Sequence, residues 1–220
     1  MAQPTYLSLV NEVLILLREP TCTSVSDTAY SRLVGVFVNE AKEEVEDSWN
    51  WSALRTTINV PMVVAQRNYI LTGSSYRTKL LSAYNTTRLW PMRVWQNTQY
   101  LDNLLSVTTA ASNAPYDMDI VGSDPTTGSI IFRVNPLPTG TDNVRLFVLN
   151  PASEFDADAD VLAVPKRPVV QLAYLKAINE RGEDSGRASE IQEKIYLKTL
   201  ATAISQDAAF FEDETTWRAV

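Results

Sequence analysis

The hydrophobic period of the chain changes near Trp51, and this change limits the folds that the chain can adopt. From Ser26 to Trp51, apolar side chains recur at steps of three and four residues, the pattern of one face of an α-helix. From Thr56 to Val60, apolar and polar residues alternate, as in a half-buried strand. We therefore expect a long helix, with Ser26 or Asp27 as its N-cap, that leads directly into a β region.

Three more stretches have helical spacing. The first runs from Thr5 to Arg18, with Thr5 or Ser8 as a candidate N-cap, and Pro20 ends it because proline disfavours helical geometry in the residue before it. The others run from Pro165 to Arg181 and from Ser185 to Asp207. We expect each pair of neighbouring helices to form an antiparallel hairpin.

Between the two helical halves, seven short stretches read as strands separated by turns rich in Gly, Pro and Ser. They are residues 56–60, 68–71, 78–85, 88–94, 118–121, 129–134 and 144–149, and residues 100–105 are predicted to be a short helix. The predicted fold is α+β: an antiparallel four-helix bundle built from both chain ends, with an inserted antiparallel β-sandwich or barrel-like domain. The predicted domains are residues 1–55 and 161–207 for the bundle, 56–160 for the β domain and 208–220 for a C-terminal tail.

The composition excludes most common kinds of catalytic site. The 220 residues include no histidine, so there is no Ser-His-Asp triad and no histidine metal ligand. Cys22 is the single cysteine, and we expect a buried or incidental thiol rather than a nucleophile. No glycine-rich phosphate loop is present among seven glycines. We therefore predict a protein that is not an enzyme and has no cofactor.

An acidic segment at residues 154–160 has two interpretations. Asp156, Asp158 and Asp160 match the first, third and fifth positions of a calcium loop. Val161 stands where that loop needs glycine, and Arg167 stands where it needs a bidentate glutamate. A solvated acidic linker is the favoured interpretation, and no metal site is predicted.

The formal net charge of −7 argues against an electrostatic nucleic-acid binder, although acidic walls would let DNA pass without sticking. No signal peptide is expected, because no basic region precedes an apolar run at the N-terminus. The run from Val13 to Leu17 is too short to span a membrane. We expect synthesis in a reducing cytoplasm and no membrane association.

Two sets of residues are candidates for contacts with partners. Four glutamates are predicted to lie opposite the apolar stripe of the long helix, where they face solvent or a polar partner: Glu40, Glu43, Glu44 and Glu46. The first three are candidate contacts. Lys166 and Arg167 place cations at a helix N-terminus, against the helix dipole. Solvent exposure alone would also explain these charges. In the tail, aromatic side chains either fold back or anchor the chain to another protein; these are Phe210, Phe211 and Trp217, followed by Arg218.

The order of these parts resembles the head-to-tail adaptor family of short-tailed bacteriophages, often called tail tubular protein A, over nearly the whole chain. Four segments carry the resemblance. They are Leu9–Leu14 in the first helix, the acidic stretch from Glu40 to Trp51, Val164–Pro165 ahead of Val170–Ala177, and Glu180–Asp184 between the last two helices.

The resemblance implies a structural virion protein of the neck or tail that is synthesised in the host cytoplasm. Such adaptors form a dodecameric ring beneath the portal, receive the nozzle protein on the other side and let DNA pass through the central channel. For this chain, the resemblance implies ring contacts at Glu40, Glu43, Glu44, Lys166 and Arg167. It implies portal contacts at Phe210, Phe211, Trp217 and Arg218. Another tail or receptor-binding virion module is the alternative, followed by a polysaccharide hydrolase that works through paired carboxylates.

Overall fold

The computed structural model of the chain describes residues 3–95, 113–182 and 187–209, together with Asp102. The chain divides into two compact units. Met1–Leu54 and Ala152–Val220 form the first, which we call the helical unit, and Arg55–Pro151 form the second, the β unit. The α+β class agrees with the sequence-based expectation, whereas the architecture predicted within that class is wrong.

The helical unit contains each of the four predicted helices, with slightly different ends. They are α1 (Tyr6–Leu16), α2 (Ala29–Ser48), α3 (Lys166–Arg181) and α4 (Arg187–Ala208), and a 3-10 turn follows α2 at Ser52–Leu54.

The helix α2 starts later than predicted, because Thr28 rather than Ser26 or Asp27 is its N-cap. Thr28 Oγ1 accepts a hydrogen bond from the Ser31 N–H at 2.9 Å, and the Ser31 hydroxyl lies 3.0 Å from the Thr28 N–H in a capping box. The Asp27 carboxylate is occupied by the preceding turn, where it accepts from the N–H groups of Thr23 at 2.7 Å and Ser24 at 2.9 Å.

The predicted four-helix bundle is wrong. The helices α1, α2 and α3 pack against one another, whereas α4 packs mainly on α3. The buried side chains of α4 include Gln192, Ala203 and Asp207, while Ile191 and Ile195 point outward. A helix that buries polar and small residues cannot supply a quarter of an apolar core, so the core is built by the other three helices. Its fully buried side chains include Leu9, Val10, Val13, Val34, Val38, Val45, Val169 and Ala173.

The acidic segment is part of the helical unit and packs against α1 and α2. We call residues 152–162 the strap. The buried Phe155 ring lies 5.1 Å from the Tyr6 ring, and its backbone exchanges two hydrogen bonds with the Asn39 side chain at 3.0 and 3.1 Å. The Tyr6 N–H donates to the Asp160 carbonyl at 2.8 Å, and the Leu162 N–H donates to the Pro4 carbonyl at 3.0 Å. The strap therefore fastens the C-terminal half of this unit to its N-terminal half.

The β unit is a single sheet in which seven strands have the order β1-β7-β3-β4-β5-β6-β2. The strands are β1 (Arg55–Pro61), β2 (Asn68–Ile70), β3 (Lys79–Asn85), β4 (Trp90–Trp95), β5 (Asp117–Ser123), β6 (Ile130–Asn135) and β7 (Asn143–Leu149). Each lies at a predicted strand. The predicted short helix at 100–105 falls outside the described residues, apart from Asp102.

The predicted antiparallel sandwich or barrel is also wrong. The pair β4–β5 is parallel and the other pairs are antiparallel, so the sheet is mixed, and it curls into a half-barrel. A parallel pair needs a long connection that returns the chain to the same end of the sheet, and residues 96–116 supply that length. One face of the sheet forms an apolar core that includes Met62, Tyr69, Leu71, Met118, Phe132, Leu146 and Val148.

Candidate functional site

One surface of α2 is strongly acidic. Glu40, Glu43, Glu44 and Asp47 fall at helical steps of three and four residues and share one side of the helix. Together with Ser48 and with Tyr196 of α4, they line an open depression of about 610 Å³. We call the four carboxylates the acidic face.

Two carboxylates of the acidic face, those of Glu40 and Glu44, form ion pairs with a lysine of α3. Lys176 of α3 places its ammonium 2.9 Å from Glu40 Oε2 and 2.7 Å from Glu44 Oε1. Partial burial acts to lower the pKa of Lys176, but its hydrogen bonds to Glu44 and Glu40 outweigh that effect and the pKa is raised. The lysine therefore stays charged at neutral pH and holds two carboxylates in position.

The two predicted basic contacts lie elsewhere in the helical unit. Lys166 Nζ is 2.7 Å from Glu12 Oε2 of α1, and Arg167 is exposed. Pro165 occupies the N-cap position of α3 and makes no side-chain cap. The structure thus pairs Lys166 with α1 and pairs Glu40 with Lys176, and it does not join the predicted acidic and basic residues in one cluster.

A second surface is an apolar groove between the end of α1, the end of α3 and the start of α4. Its volume is about 270 Å³, and its walls include Leu16, Leu17, Tyr174, Ile178 and Ala188. Leu16 is 39% exposed and the neighbouring Ile15 is 61% exposed. Apolar side chains gathered in a concave site on a surface are typical of a protein contact. We call this site the groove.

Two arginines border the groove. Arg181 already has partners, since Nη2 lies 2.6 Å from Glu19 Oε1 and Nε donates to the Tyr30 hydroxyl at 2.7 Å. The hydrogen bond to Glu19 contributes most to raising the pKa of Arg181, so this guanidinium is a fixed cation. Arg18 is exposed directly after α1. The groove therefore combines apolar walls with a positive border.

The end of α4 is held in place by Asp207. Its carboxylate accepts hydrogen bonds from the Trp49 indole N–H at 3.1 Å, the Ser52 N–H at 3.1 Å and the Ser52 hydroxyl at 2.5 Å. These contacts fix the point from which residues 210–220 continue. The predicted portal contacts Phe210, Phe211, Trp217 and Arg218 lie outside the described residues.

A buried lysine on the inner side of α2 was not predicted from the sequence. Lys42 Nζ donates to the carbonyl oxygens of Ala152 at 2.9 Å and Ser153 at 2.8 Å, and it lies 3.3 Å from Glu46 Oε1. The ammonium also lies 5.1 Å from the centroid of the Phe155 ring. These contacts tie α2 to the strap and so fix which side of α2 turns outward as the acidic face. The prediction that Glu46 lies on the exposed side of α2 is wrong. Glu46 and Lys42 are both buried, because they lie on the side of α2 that Lys42 joins to the strap.

Two carboxylates of the strap accept hydrogen bonds from backbone N–H groups. Asp158 Oδ1 accepts from the Val25 N–H at 3.1 Å, and Asp160 Oδ2 accepts from the N–H groups of Asp156 and Ala157, each at 2.8 Å. In the part of the chain that the structure describes, no group of three or more acidic or cysteine side chains is arranged to hold a metal ion.

No model of a known protein family matches the sequence, and no curated protein is significantly similar to it. None of the helices within the described ranges combines the length and the apolar character that crossing a bilayer requires.

Proposed function

We propose that this chain is a head-to-tail adaptor of a short-tailed bacteriophage, a structural virion protein that assembles into a ring between the portal and the tail. The observation that carries the proposal is the presence of two different surfaces on the helical unit, the acidic face on α2 and the groove with its positive border. The family comes from the resemblance in the order of parts along the chain.

A ring requires a head-to-tail interface, in which one surface of each copy meets a different surface of the next. A chain that carries an acidic surface and a separate apolar and basic surface meets this requirement, whereas a two-fold dimer needs only one self-complementary patch. Opposite charges on the two surfaces set the orientation of the copies and disfavour contacts between like surfaces. Glu40, Glu43 and Glu44 are the proposed contacts on the acidic side of this interface. Lys166 and Arg167, which lie at the start of α3 and not at the groove, are further proposed contacts with a neighbouring copy.

The proposed partners follow from the same assembly. The portal binds one side of the ring and the nozzle protein of the tail binds the other. DNA passes through the centre without specific binding, since a chain with a formal net charge of −7 does not attract phosphates. No enzymatic step is part of the proposed role.

Native mass spectrometry and negative-stain imaging of the purified chain, with and without the portal of the same phage, test this proposal. We expect a closed ring that forms alone or on the portal. A chain that stays monomeric under both conditions overturns the proposal. Binding to a cell-surface glycan instead of the portal would support a receptor-binding module.

A further inference from the structure

We propose that Phe210 and Phe211 of one copy occupy the groove of a neighbouring copy, so that the C-terminal segment links successive subunits. The proposal rests on the self-assembly of the proposed function and adds to it a specific occupant for the groove. Three observations carry it: the chemistry of the groove, the chemistry of the segment and the distance between the groove and the end of α4.

The chemistry of the two surfaces is complementary. The groove has walls of leucine, isoleucine and tyrosine, with a positive border at Arg18 and Arg181. The segment after α4 reads Phe210-Phe211-Glu212-Asp213-Glu214, two large apolar side chains followed at once by three carboxylates. Because Arg181 is already paired with Glu19, the exposed Arg18 is the guanidinium that faces these carboxylates. Two aromatic anchors in an apolar pocket with charges at the rim are typical of a protein contact.

The length of chain after α4 determines whether the phenylalanine pair can reach the groove of its own copy or only that of another copy. Ala188 borders the groove at the start of α4, and α4 ends at Ala208. At a rise of about 1.5 Å per residue, these two residues are about 30 Å apart. An extended chain spans at most about 3.6 Å per residue, so Phe211 lies within about 11 Å of Ala208. The phenylalanine pair therefore cannot enter the groove of its own copy.

The anchor at Asp207 strengthens this argument. Its hydrogen bonds to Trp49 and Ser52 hold the end of α4 in place, so the last turn of the helix is tied down rather than unwound toward the groove. Trp217 is nine residues beyond Ala208 and reaches about 32 Å at most, which requires a fully extended chain lying along α4. A neighbouring copy has no such restriction.

The test uses full-length chains that each carry one cysteine, in a Cys22→Ser background. One chain carries Leu16→Cys at the groove, and a second chain, distinguished by a larger affinity tag, carries Glu212→Cys next to the phenylalanine pair. After mixing and mild oxidation, we expect a disulfide-linked heterodimer at a yield several-fold above that of a matched control with Thr202→Cys, an exposed position on α4. Adding Phe210→Ser and Phe211→Ser to the second chain should reduce the yield to the control level.

A yield equal to that of the control overturns the inference. A further chain carries both Leu16→Cys and Glu212→Cys, and a disulfide that forms only within this chain, and not between chains, also overturns it. Cross-linking of the segment to added portal but not to the groove also overturns it, and assigns the segment to the portal instead. Native mass spectrometry of the same mixtures separates this inference from the proposed function. A closed ring without the cross-link contradicts the inference alone, whereas linked chains that never close into a ring contradict the proposed function alone.

Discussion

Lys42 and Glu46 lie one turn apart on α2 and form an ion pair inside the helical unit, with 3.3 Å between Lys42 Nζ and Glu46 Oε1. Both side chains are almost fully buried, at 2% and 0% exposure. Two carbonyl oxygens of the strap share the ammonium. The pair therefore links α2 to the strap through buried polar contacts. Burying two charges costs desolvation free energy, so the stability of the helical unit should depend on keeping both partners.

Replacing Lys42 alone should destabilise the helical unit severely. Lys42→Met removes the ammonium that lies 3.3 Å from the buried Glu46 carboxylate and that two strap carbonyls share, and we expect a loss of about 3–5 kcal/mol in the free energy of unfolding. Urea denaturation followed by circular dichroism measures this loss. Lys198→Met, an exposed lysine on α4, is the control and should change stability by less than about 0.5 kcal/mol. The double variant Lys42→Met/Glu46→Leu should recover much of the loss, because it removes both charges. A single variant as stable as the control would contradict the structural role of the pair.

Gly35 should not tolerate alanine, although it lies in the middle of a helix. A Cβ at this position would lie 2.4 Å from the Tyr6 hydroxyl oxygen and 2.8 Å from Val25 Cγ1. Overpacking of this kind costs about 1–3 kcal/mol, more than the gain in helix propensity of about 1 kcal/mol from glycine to alanine. We expect a lower melting temperature for Gly35→Ala and partial recovery on adding Tyr6→Phe. Gly140→Ala, where nothing lies within 4 Å, is the matched control.

Asp207 should stabilise the end of α4. Asp207→Ala removes hydrogen bonds from Ser52 and Trp49 to a carboxylate, and each such bond contributes about 1.5–3 kcal/mol. We expect a lower denaturation midpoint for the variant and faster amide hydrogen exchange in the last turn of α4. Gln206→Ala, at an exposed neighbouring position, should leave both measurements unchanged. Equal exchange rates in the two variants would show that the end of α4 is held by other contacts.

Charge reversal on the acidic face should weaken ring assembly. Glu43→Lys combined with Asp47→Lys replaces attraction with repulsion at the proposed interface, and we expect association that is weaker by on the order of tenfold or more. Sedimentation velocity at low and high salt measures the association. The difference in association between the variant and wild type should shrink at high salt, because exposed charges are screened. Glu154→Lys combined with Asp156→Lys, at two exposed carboxylates of the strap, makes the same charge change away from this face and is the matched control. Unchanged assembly of the first double variant would remove the acidic face from the interface.

Asp160 should titrate below the ordinary aspartate range. The Ala157 and Asp156 N–H groups donate to its carboxylate and hold its pKa low. Because the folded-state pKa is depressed, the stabilisation is fully present above the unfolded-state value of about 3.9 and is lost as the pH falls toward the lower folded-state value. Carboxyl NMR titration checks the direction of the shift. The stability difference between wild type and Asp160→Asn should shrink as the pH is lowered through this window, and a difference that stays constant would contradict the shift.

The local elements were predictable because they depend on local patterns. The helical period predicted α1 to α4, the alternation of apolar and polar residues predicted seven strands, and proline and glycine placed most of the boundaries. Thr28 was missed as the N-cap of α2, because Ser26, Asp27 and Thr28 are all good capping residues and only the contact with Ser31 distinguishes them.

The architecture was not predictable from those patterns. Periodicity shows which face of a strand is apolar but not which strand is its neighbour, so the parallel pair β4–β5 was missed and an antiparallel sandwich was expected. The bundle was expected because four amphipathic helices can share one core, yet Ile191 and Ile195 of α4 face outward.

For the candidate site, residue identity determined the chemistry and tertiary contacts determined the location. The sequence alone established an acidic side on α2, the absence of histidine chemistry and an aromatic segment at the C-terminus. Three features depend on the tertiary structure: the burial of Lys42 and Glu46, the ion pair between Glu40 and Lys176, and the position of Leu16 in the wall of the groove. Those outcomes depend on contacts between residues more than a hundred positions apart along the chain, as between Lys42 and Ala152, which local patterns do not record.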